Sequence, residues 1–333
     1  MRAICVVRED QLEAQDIQTP SAAADSHLLV KMHASAINPG DKYFLANPNA
    51  RALVTGGMST QIVWGASGAG EVIQIGTNVP TVYLGKKVAI YRSLVRTPET
   101  VGLWSEVAHV PHLNCVILPS EAHTEDYAGS LVNVMTAYAF LEEVTEEGHQ
   151  GIIATAGNSA TGRALYALAQ KKNVPVLSLV RSESQKRELE HLGQTNILVT
   201  TDAGFEVQLK SMTEKLHTTA IFEGVGGELV SRIAPLLPTK SCIYFYGFLN
   251  GAASFSIQSR LMMEKNMLMR PFSNFMSKTV TDRKRLFEAL TKLSEVIENP
   301  AFRTKVGPRF AYEQINEALQ FAGEHGAKCL LVP

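Results

Sequence analysis

The pattern of hydrophobic and polar positions changes along the chain. Up to about residue 119, short β-rich runs such as residues 28–32 and 87–91 alternate with turn-forming sequences. From about residue 121 to 266, helical patterns alternate with continuous apolar runs, which are typical of strands buried on both faces of a parallel sheet. The pattern therefore predicts a mostly β segment followed by an α/β segment.

Six apolar runs in the α/β segment predict one doubly wound parallel sheet. They are residues 151–155, 176–180, 197–200, 220–223, 242–246 and a run near 266–269. The tail changes again and predicts a helical stretch over 282–298, a basic strand near Arg309, a helix over 312–324 and a final strand over 327–332.

Length and charge narrow the class of protein. A chain of 333 residues exceeds what one hydrophobic core usually holds, so we expect more than one domain. The formal net charge of −1 gives no reason to expect a nucleic-acid or membrane-surface partner. No apolar run approaches the roughly 20 residues that cross a bilayer, and the first residues lack a secretory signal pattern.

The four cysteines lie far apart, without the paired spacing of a disulfide framework or a zinc knot. They are Cys5, Cys115, Cys242 and Cys329. Free cysteine usually behaves as a small buried hydrophobic residue, and we assign none of the four a catalytic role. A reducing compartment fits this usage, and we expect a cytoplasmic location.

Small residues occupy the connection between the first predicted strand of the sheet and the following helix. Backbone N–H groups and the start of a helix bind phosphate where no side chain blocks close approach. Gly157 and Gly162 match the first and third glycines of a dinucleotide fingerprint, and Ser159 replaces the second. The residues that we predict to contact a diphosphate are Gly157, Asn158, Ser159, Ala160, Thr161 and Gly162.

The second strand of the sheet ends without the acidic residue that commonly binds the adenosine ribose 2′-hydroxyl. Arg181 and Ser182 stand there instead, followed by Lys186. A guanidinium can bind the 2′-phosphate of NADPH bidentately, so we predict NADP(H) as the cofactor and assign all three residues to its binding. The alternatives are that Arg181 is a solvated surface residue, or that Glu183 binds the hydroxyl of NADH.

Glycine also follows the fourth and fifth predicted strands. Phe222-Glu223-Gly224-Val225-Gly226-Gly227 ends one strand, and Tyr246-Gly247-Phe248 ends the other. Such turns let the backbone approach the ribose and nicotinamide of a cofactor, although both are also ordinary strand-ending turns. We predict cofactor contacts for Val225, Gly226, Tyr246, Gly247 and Phe248.

The ordered set of motifs resembles the medium-chain dehydrogenase/reductase superfamily and its zinc-independent, quinone oxidoreductase-like branch. The segment Asn38-Pro39-Gly40-Asp41 resembles the family's Asn-x-x-Asp motif, and residues 65–72 resemble its glycine-rich GroES-like signature. The resemblance implies a GroES-like catalytic domain over residues 1–120 and a Rossmann NADP-binding domain over 121–270. It also implies a C-terminal segment, 271–333, that returns to the catalytic domain, and a homodimer formed through the last strand of the Rossmann sheet.

The metal ligands of the zinc-dependent relatives are missing. Those relatives carry Gly-His-Glu where this chain has Gly65-Ala66-Ser67, and their cysteine ligand would fall near Asn38. His109 and His112 form the one close histidine pair, but zinc needs three or four converging ligands. We therefore expect a zinc-independent protein with no bound metal.

Without a Lewis acid, the easiest hydride acceptors are a quinone or an α,β-unsaturated carbonyl, because the arriving charge is delocalised and hydrogen-bond donors suffice. The resemblance places the loop with Asn38 and Tyr43 beside the nicotinamide. We therefore assign Tyr43 as a donor of a hydrogen bond or a proton to the carbonyl oxygen, Asn38 as a residue that orients the carbonyl or the ribose, and Thr136 as a contact to the nicotinamide. Each also has an ordinary structural interpretation, as a packing residue, a turn former and a helix cap respectively.

Two other functions stay open at the level of sequence. Asn158-Ser159 resembles the phosphate turn of 2-enoyl thioester reductases, although the tyrosine that those enzymes use should fall near Asn49. The unusually long loop over residues 45–64 also leaves room for a protein that binds NADPH without turnover and acts as a scaffold or regulator.

Overall fold

The computed structural model describes residues 1–8, 11–47, 63–251, 253–323 and 326–333. The chain divides into two compact units. One unit joins Met1–Asn133 with Arg283–Pro333, and the other is Val134–Asp282. The second unit thus begins and ends later than the predicted bounds of 121 and 270, and the assignment of substrate and NADP binding to separate domains stays a prediction.

The first part of the chain is mostly antiparallel strands, which follow the short β-rich runs of the sequence. The strands are β1 (Arg2–Arg8), β2 (Gln11–Asp16), β3 (His27–Ala36), β4 (Ser67–Ile75), β5 (Lys87–Tyr91), β6 (Val107–Pro111) and β7 (Cys115–Ile117). Short 3₁₀ helices lie at Thr81–Tyr83, His112–Asn114 and Thr124–Tyr127. β1 pairs with β2, while β3 pairs with both β4 and β6.

One short helix, α1 (Pro39–Ala46), follows β3 directly. Asn38 is its extended N-cap residue, Pro39 stands at the first helical position and Asp41 lies in the first turn. Proline suits this position because its fixed backbone angle is helical and its missing N–H would have no partner there. Asn38 and Asp41 are consequently held at a fixed helix start.

The second unit alternates helices with parallel strands, as the apolar runs predict. Its elements are α2 (Ser130–Glu146, which begins in the first unit), β8 (Gly151–Ala154), α3 (Ala160–Lys171), β9 (Val176–Val180), α4 (Glu183–His191), β10 (Ile197–Val199), α5 (Phe205–Lys215), β11 (Thr218–Glu223), α6 (Glu228–Ile233), β12 (Cys242–Phe245), α7 (Ser259–Lys265), β13 (Leu268–Pro271) and α8 (Lys278–Thr281). Two 3₁₀ helices lie at Ala234–Leu236 and Asn274–Met276.

The strands of the second unit form a six-stranded sheet in the order β10-β9-β8-β11-β12-β13, and every neighbouring pair is parallel. The six strands predicted from the sequence are therefore confirmed, with ends that differ by at most two residues. Because the strands are parallel, the turns after β8, β9, β11 and β12 meet at one edge of the sheet.

The C-terminal segment returns to the first unit. It contains α9 (Arg283–Ser294), a 3₁₀ helix (Pro300–Phe302), β14 (Val306–Ala311), a 3₁₀ helix (Tyr312–Gln314), α10 (Ile315–Gln320) and β15 (Lys328–Val332). These strands extend a sheet of order β14-β15-β3-β4-β5-β7. The predicted helix over 312–324 is wrong in detail, since it begins as a 3₁₀ turn and its α-helical part ends at Gln320.

Each unit has its own buried apolar core. Leu28, Val30 and Met32 of β3 pack in the first unit, and Ile153 of β8 packs with Ile221 of β11 in the second. All four cysteines are buried and unpaired, as the sequence predicts. In the part of the chain that the structure describes, no helix is both long and apolar enough to span a membrane.

Candidate functional site

Two glycines shape the turn between β8 and α3 because a side chain at either position would strike the backbone. A Cβ on Gly157 would lie 2.7 Å from the Ser178 Cβ of β9, and a Cβ on Gly162 would lie 2.4 Å from the Ala156 carbonyl oxygen. The Gly157 N–H donates to the Leu179 carbonyl at 3.0 Å. The turn is therefore pressed against both the neighbouring strand and the helix that it starts.

The helix start in this turn has N–H groups to offer to an anion. Ser159 caps α3, since its hydroxyl accepts a hydrogen bond from the Gly162 N–H at 3.0 Å. Within the described residues, the N–H groups of Asn158 and Ala160 have no acceptor. These donors, at the positive end of a 12-residue helix, fit the diphosphate of a dinucleotide.

The Asn158 side chain is occupied by the protein. Its Nδ2 donates to Oε2 of Glu188 on α4 at 2.9 Å, and the residue is 7% exposed. Arg163 is buried nearby, and burial lowers its pKa while the charge of Glu188 raises it. The Nδ2 atom of Asn158 thus joins the turn after β8 to α4, while no partner of its buried Oδ1 atom is found among the described residues.

The three residues predicted to bind a 2′-phosphate follow β9, beside the phosphate turn. Arg181 is exposed, and its carbonyl accepts from the Thr201 hydroxyl at 3.3 Å. Ser182 caps α4 by accepting from the Gln185 N–H at 3.4 Å. Lys186 pairs with Glu183 at 3.6 Å. Of the two cations, Arg181 is therefore the more exposed. Ser182 and Lys186 already have partners within α4.

A buried carboxyl group organises the turn after β11. Glu223 is fully buried, and its Oε1 accepts from the N–H groups of Val225 at 2.6 Å and Gly226 at 2.7 Å. The Gly224 N–H donates to the Thr155 hydroxyl at 3.0 Å. Burial raises the pKa of Glu223, and the two amide donors oppose that rise. The N–H groups of Val225 and Gly226 are therefore already bonded to Glu223, so a ligand would meet these residues through other atoms.

The turn after β12 is packed onto the turn after β11. The Tyr246 ring stacks on Phe222 with centroids 3.7 Å apart, and it fills the space where Gly224 lacks a Cβ. Burial raises the pKa of Tyr246, and a hydrogen bond with Ser159 of the phosphate turn lowers it. The Leu249 N–H donates to the Gly224 carbonyl at 3.0 Å. Tyr246 therefore connects the turns after β8, β11 and β12.

Two further predicted residues lie next to Tyr246. Gly247 is half-buried, and a Cβ there would come within 3.1 Å of the Gly224 carbonyl oxygen. The Phe248 side chain is 51% exposed. All the predicted cofactor residues consequently gather at one sheet edge, while their contacts with a cofactor stay a prediction.

In the first unit, Asn38 is the centre of a buried polar network. It is 7% exposed, and its Nδ2 donates to the Ser67 hydroxyl at 2.7 Å and to Oδ2 of Asp41 at 3.2 Å. Lys328 Nζ donates to the Asn38 Oδ1. Asp41 also accepts from the N–H groups of Asn38 at 2.9 Å and Ala66 at 3.2 Å. The Asn38 amide is thereby fixed in one orientation.

Tyr43 and Thr136, the other two predicted catalytic residues, lie in different units. Tyr43 is on α1, five residues after Asn38, and is 37% exposed with its ring edge against Phe44. Thr136 lies inside α2, where its hydroxyl accepts from Asn274 Nδ2 at 3.0 Å. The structural alternative that Thr136 caps a helix is wrong, because α2 begins six residues earlier.

The positions that hold metal ligands in zinc-dependent relatives have other contacts here. The Ala66 N–H donates to Asp41, and the Ser67 hydroxyl accepts from Asn38. Over the described ranges, no three His, Cys, Asp or Glu side chains come together as metal ligands. Asn49, where a thioester-reductase tyrosine would fall, and most of the long loop over 45–64 lie outside the described residues.

Sequence reasoning missed the partners that fix these sites. Lys328 lies 290 positions from Asn38 in the sequence, so no local pattern links them. Glu223 is more accessible to prediction. An acidic residue that ends a buried strand just before a glycine-rich turn is a signal for a carboxylate that binds backbone N–H groups.

The chain is similar to a known domain family and to several known reductases. The model of the alcohol dehydrogenase GroES-like domain family matches residues 24–120. The mitochondrial enoyl-acyl-carrier-protein reductase of Caenorhabditis elegans is 28% identical over 237 residues, which are 68% of this chain and 62% of that protein. An NADPH quinone oxidoreductase of Kluyveromyces marxianus is 24% identical over 246 residues, covering 68% and 63% respectively. The chain matches less than two thirds of either relative.

Among solved structures, the Escherichia coli quinone oxidoreductase complexed with NADPH has a TM-score of 0.73 and is 18% identical, with 100% of both chains covered. At this identity the likeness shows the fold, an α/β architecture with a GroES-like domain. These findings confirm the resemblance that the motifs indicate.

The buried Glu223 leads to a prediction about stability. Glu223→Ala leaves two partly buried N–H groups unpaired, so we expect the free energy of unfolding to fall by about 1–3 kcal/mol. Glu223→Gln keeps an acceptor oxygen and should cost less. Because the folded pKa is raised, the wild type should lose stability as the pH rises above the ordinary glutamate value of 4.5, and the Gln variant should not lose it this way.

Urea unfolding of each variant at a series of pH values above and below the ordinary glutamate pKa measures these effects. Glu228→Ala is the matched control, since Glu228 is an exposed residue at the same turn. Equal losses for Glu223→Ala and Glu228→Ala would show that Glu223 does not hold the turn.

Proposed function

We propose that this chain, a protein of the medium-chain dehydrogenase/reductase type and of its quinone oxidoreductase-like branch, is a zinc-independent, NADPH-dependent oxidoreductase. It transfers a hydride to a quinone or to an α,β-unsaturated carbonyl compound. The observation that carries the proposal is the turn between β8 and α3, where two glycines and the N–H groups of Asn158 and Ala160 form a cradle for a diphosphate.

The preference for NADPH rests on the residues after β9. The exposed Arg181 stands at the end of this strand, next to the phosphate turn after β8. A guanidinium at that place can bind a phosphate through two hydrogen bonds. Glu183, the residue that would favour NADH, is paired with Lys186. When bound, NADPH supplies the hydride, and the chain supplies binding and orientation.

The choice of acceptor follows from the polar groups of the first unit. A hydride that adds to the β-carbon of an enone, or to a quinone, leaves negative charge on an oxygen, and hydrogen-bond donors can stabilise that charge. Tyr43 is accessible and carries a phenolic hydroxyl that can donate to this oxygen. Asn38 is held rigidly by Ser67, Asp41 and Lys328, and a fixed amide is suited to orienting a carbonyl group.

A second function is the reduction of 2-enoyl thioesters, which is the same conjugate addition on a thioester substrate. It is favoured by Asn158-Ser159 in the phosphate turn and by the similarity to mitochondrial enoyl-acyl-carrier-protein reductases. Asn49, at the position where those enzymes would carry a tyrosine, disfavours it. We therefore place quinones and enones first.

An acceptor survey tests the function. We expect NADPH absorbance to decrease when the protein is mixed with quinones or enones, and to decrease more slowly with enoyl thioesters. The rate should survive dialysis against a chelator, because no Lewis acid is needed for a conjugated acceptor. Faster turnover of thioesters selects the second function. Tight NADPH binding without reduction of any acceptor selects a scaffold or regulatory role, and stoichiometric zinc in the active protein contradicts the metal-free assignment.

The cofactor preference gives a separate prediction. Arg181→Ala should weaken NADPH binding by about 10- to 100-fold, since it removes one charged contact to the 2′-phosphate, and should leave NADH binding unchanged. Calorimetric titration with both coenzymes measures the two affinities. Arg187→Ala is the matched control, because Arg187 is an exposed arginine of α4 in the same region. Equal losses for NADPH and NADH would refute the assignment of Arg181.

We also propose that the protein is a homodimer paired through β13. This strand is at the edge of the described parallel sheet, and Leu268 at its start is 61% exposed. An edge strand that exposes an apolar side chain is a favourable site for pairing with a second copy. Leu268→Lys should therefore shift sedimentation toward the monomer at micromolar concentration. Val207→Lys, at a 79% exposed position of α5, should not. A monomeric wild type would contradict the dimer.

A further inference from the structure

The strand register of the first unit sets Lys328 opposite Asn38. β15 and β3 are antiparallel, with Leu330 opposite Ala36 and Leu331 opposite Ser35. The Ile37 N–H donates to the Cys329 carbonyl at 3.3 Å, which continues the same register past the end of β3. The next pair in this register is Lys328 with Asn38. The pairing of the two strands therefore brings the two residues side by side.

Lys328 donates a hydrogen bond to the amide oxygen of Asn38. The Asn38 Nδ2 is shared between Ser67 and Asp41, so the Oδ1 is the atom left to accept from an ammonium. Asn38 itself is buried, whereas Lys328 is half-buried. Lys328 therefore lies at the edge of the buried network.

Gly129 provides the space for the lysine side chain. A Cβ on Gly129 would lie 3.0 Å from the Lys328 Cδ and 3.4 Å from its Nζ. The Gly129 N–H donates to the Thr304 hydroxyl at 2.9 Å, which holds this backbone in place. The stem of Lys328 is thus packed against fixed backbone, and its ammonium is directed toward Asn38.

The charges around Asn38 do not cancel. Asp41 is the buried carboxyl group of the network, and burial raises its pKa against the charges of Arg92 and Lys328. Arg92 is 3% exposed, and burial lowers its pKa to about 10, so it is still a cation at neutral pH. With Lys328, two cations face one carboxyl group. An anion formed beside this network would be stabilised, because charges interact strongly where water is excluded.

We propose that Lys328 is a further catalytic residue, whose ammonium stabilises the negative charge that develops on the oxygen of a conjugated acceptor. Hydride addition to the β-carbon moves the π electron pairs toward the carbonyl and leaves an enolate oxygen. Lys328 donates a hydrogen bond to that oxygen and stays protonated, and solvent later supplies the proton that completes the product. The lysine thus takes the electrostatic role that a metal ion has in zinc-dependent relatives.

This inference rests on the proposed function, and steady-state kinetics with an enone acceptor test it. In Lys328→Met we expect kcat and kcat/KM to fall together by about 100-fold, because the lost interaction forms in the transition state. The affinity for NADPH should not change. Lys328→Arg, which keeps the charge, should recover at least part of the rate. Lys31→Met, an exposed lysine of β3, controls for the loss of a charge.

Binding of 4-nitrophenolate, an anionic mimic of the enolate, gives a readout that does not need turnover. Its visible absorbance reports the ionised form, so titration of each variant measures how strongly the site favours an anion. We expect wild type and Lys31→Met to bind it, and Lys328→Met to bind it about tenfold more weakly, as the loss of one charged hydrogen bond implies.

The two experiments separate the possible failures. A wild type that reduces no acceptor contradicts the proposed function, and nitrophenolate binding then still decides whether Lys328 stabilises an anion. A Lys328→Met variant that keeps wild-type kcat in an active enzyme, or that binds nitrophenolate as well as wild type does, overturns the inference.

Discussion

The close approach of backbone to backbone after β8 is the constraint on which the candidate cofactor site depends. At Gly157 the chain passes within contact distance of β9, and at Gly162 the first turn of α3 lies against the residues that precede it. This close packing fixes the position of the helix start and of the N–H donors in its first turn. The turns after β11 and β12 then complete the edge through Tyr246, which packs over Gly224 and bonds to Ser159.

Buried carboxyl groups stabilise both candidate sites in the same way. Glu223 accepts two backbone N–H groups from the turn that follows it, and Asp41 accepts the N–H groups of Asn38 and Ala66. In each case burial raises the pKa of the acid while the backbone donors lower it. Hydrogen bonds offset the cost of burying a polar group, and here they hold a loop of each candidate site in one conformation.

The network around Asn38 occupies the positions that correspond to the metal ligands of zinc-dependent relatives. Ala66 and Ser67 stand where those relatives have a histidine and a glutamate, and both bond to the Asn38–Asp41 helix start. The resulting group of amide, hydroxyl and ammonium donors is the basis on which we propose a conjugated acceptor.

The sequence by itself determined the order of the strands along the chain, the β character of the first part and the glycine positions of the turn after β8. It also carried the family resemblance, which the comparisons confirm. These features are local. The spacing of apolar residues, the positions of glycines and the residue that follows a strand each depend on only a few neighbouring positions in the sequence. The tertiary structure decided the rest. Lys328 meets Asn38 through strand register, Asn158 turns to Glu188 on the next helix, and Tyr246 reaches Ser159 across the sheet edge. Such contacts join residues far apart in sequence, and only packing of the whole unit brings them together.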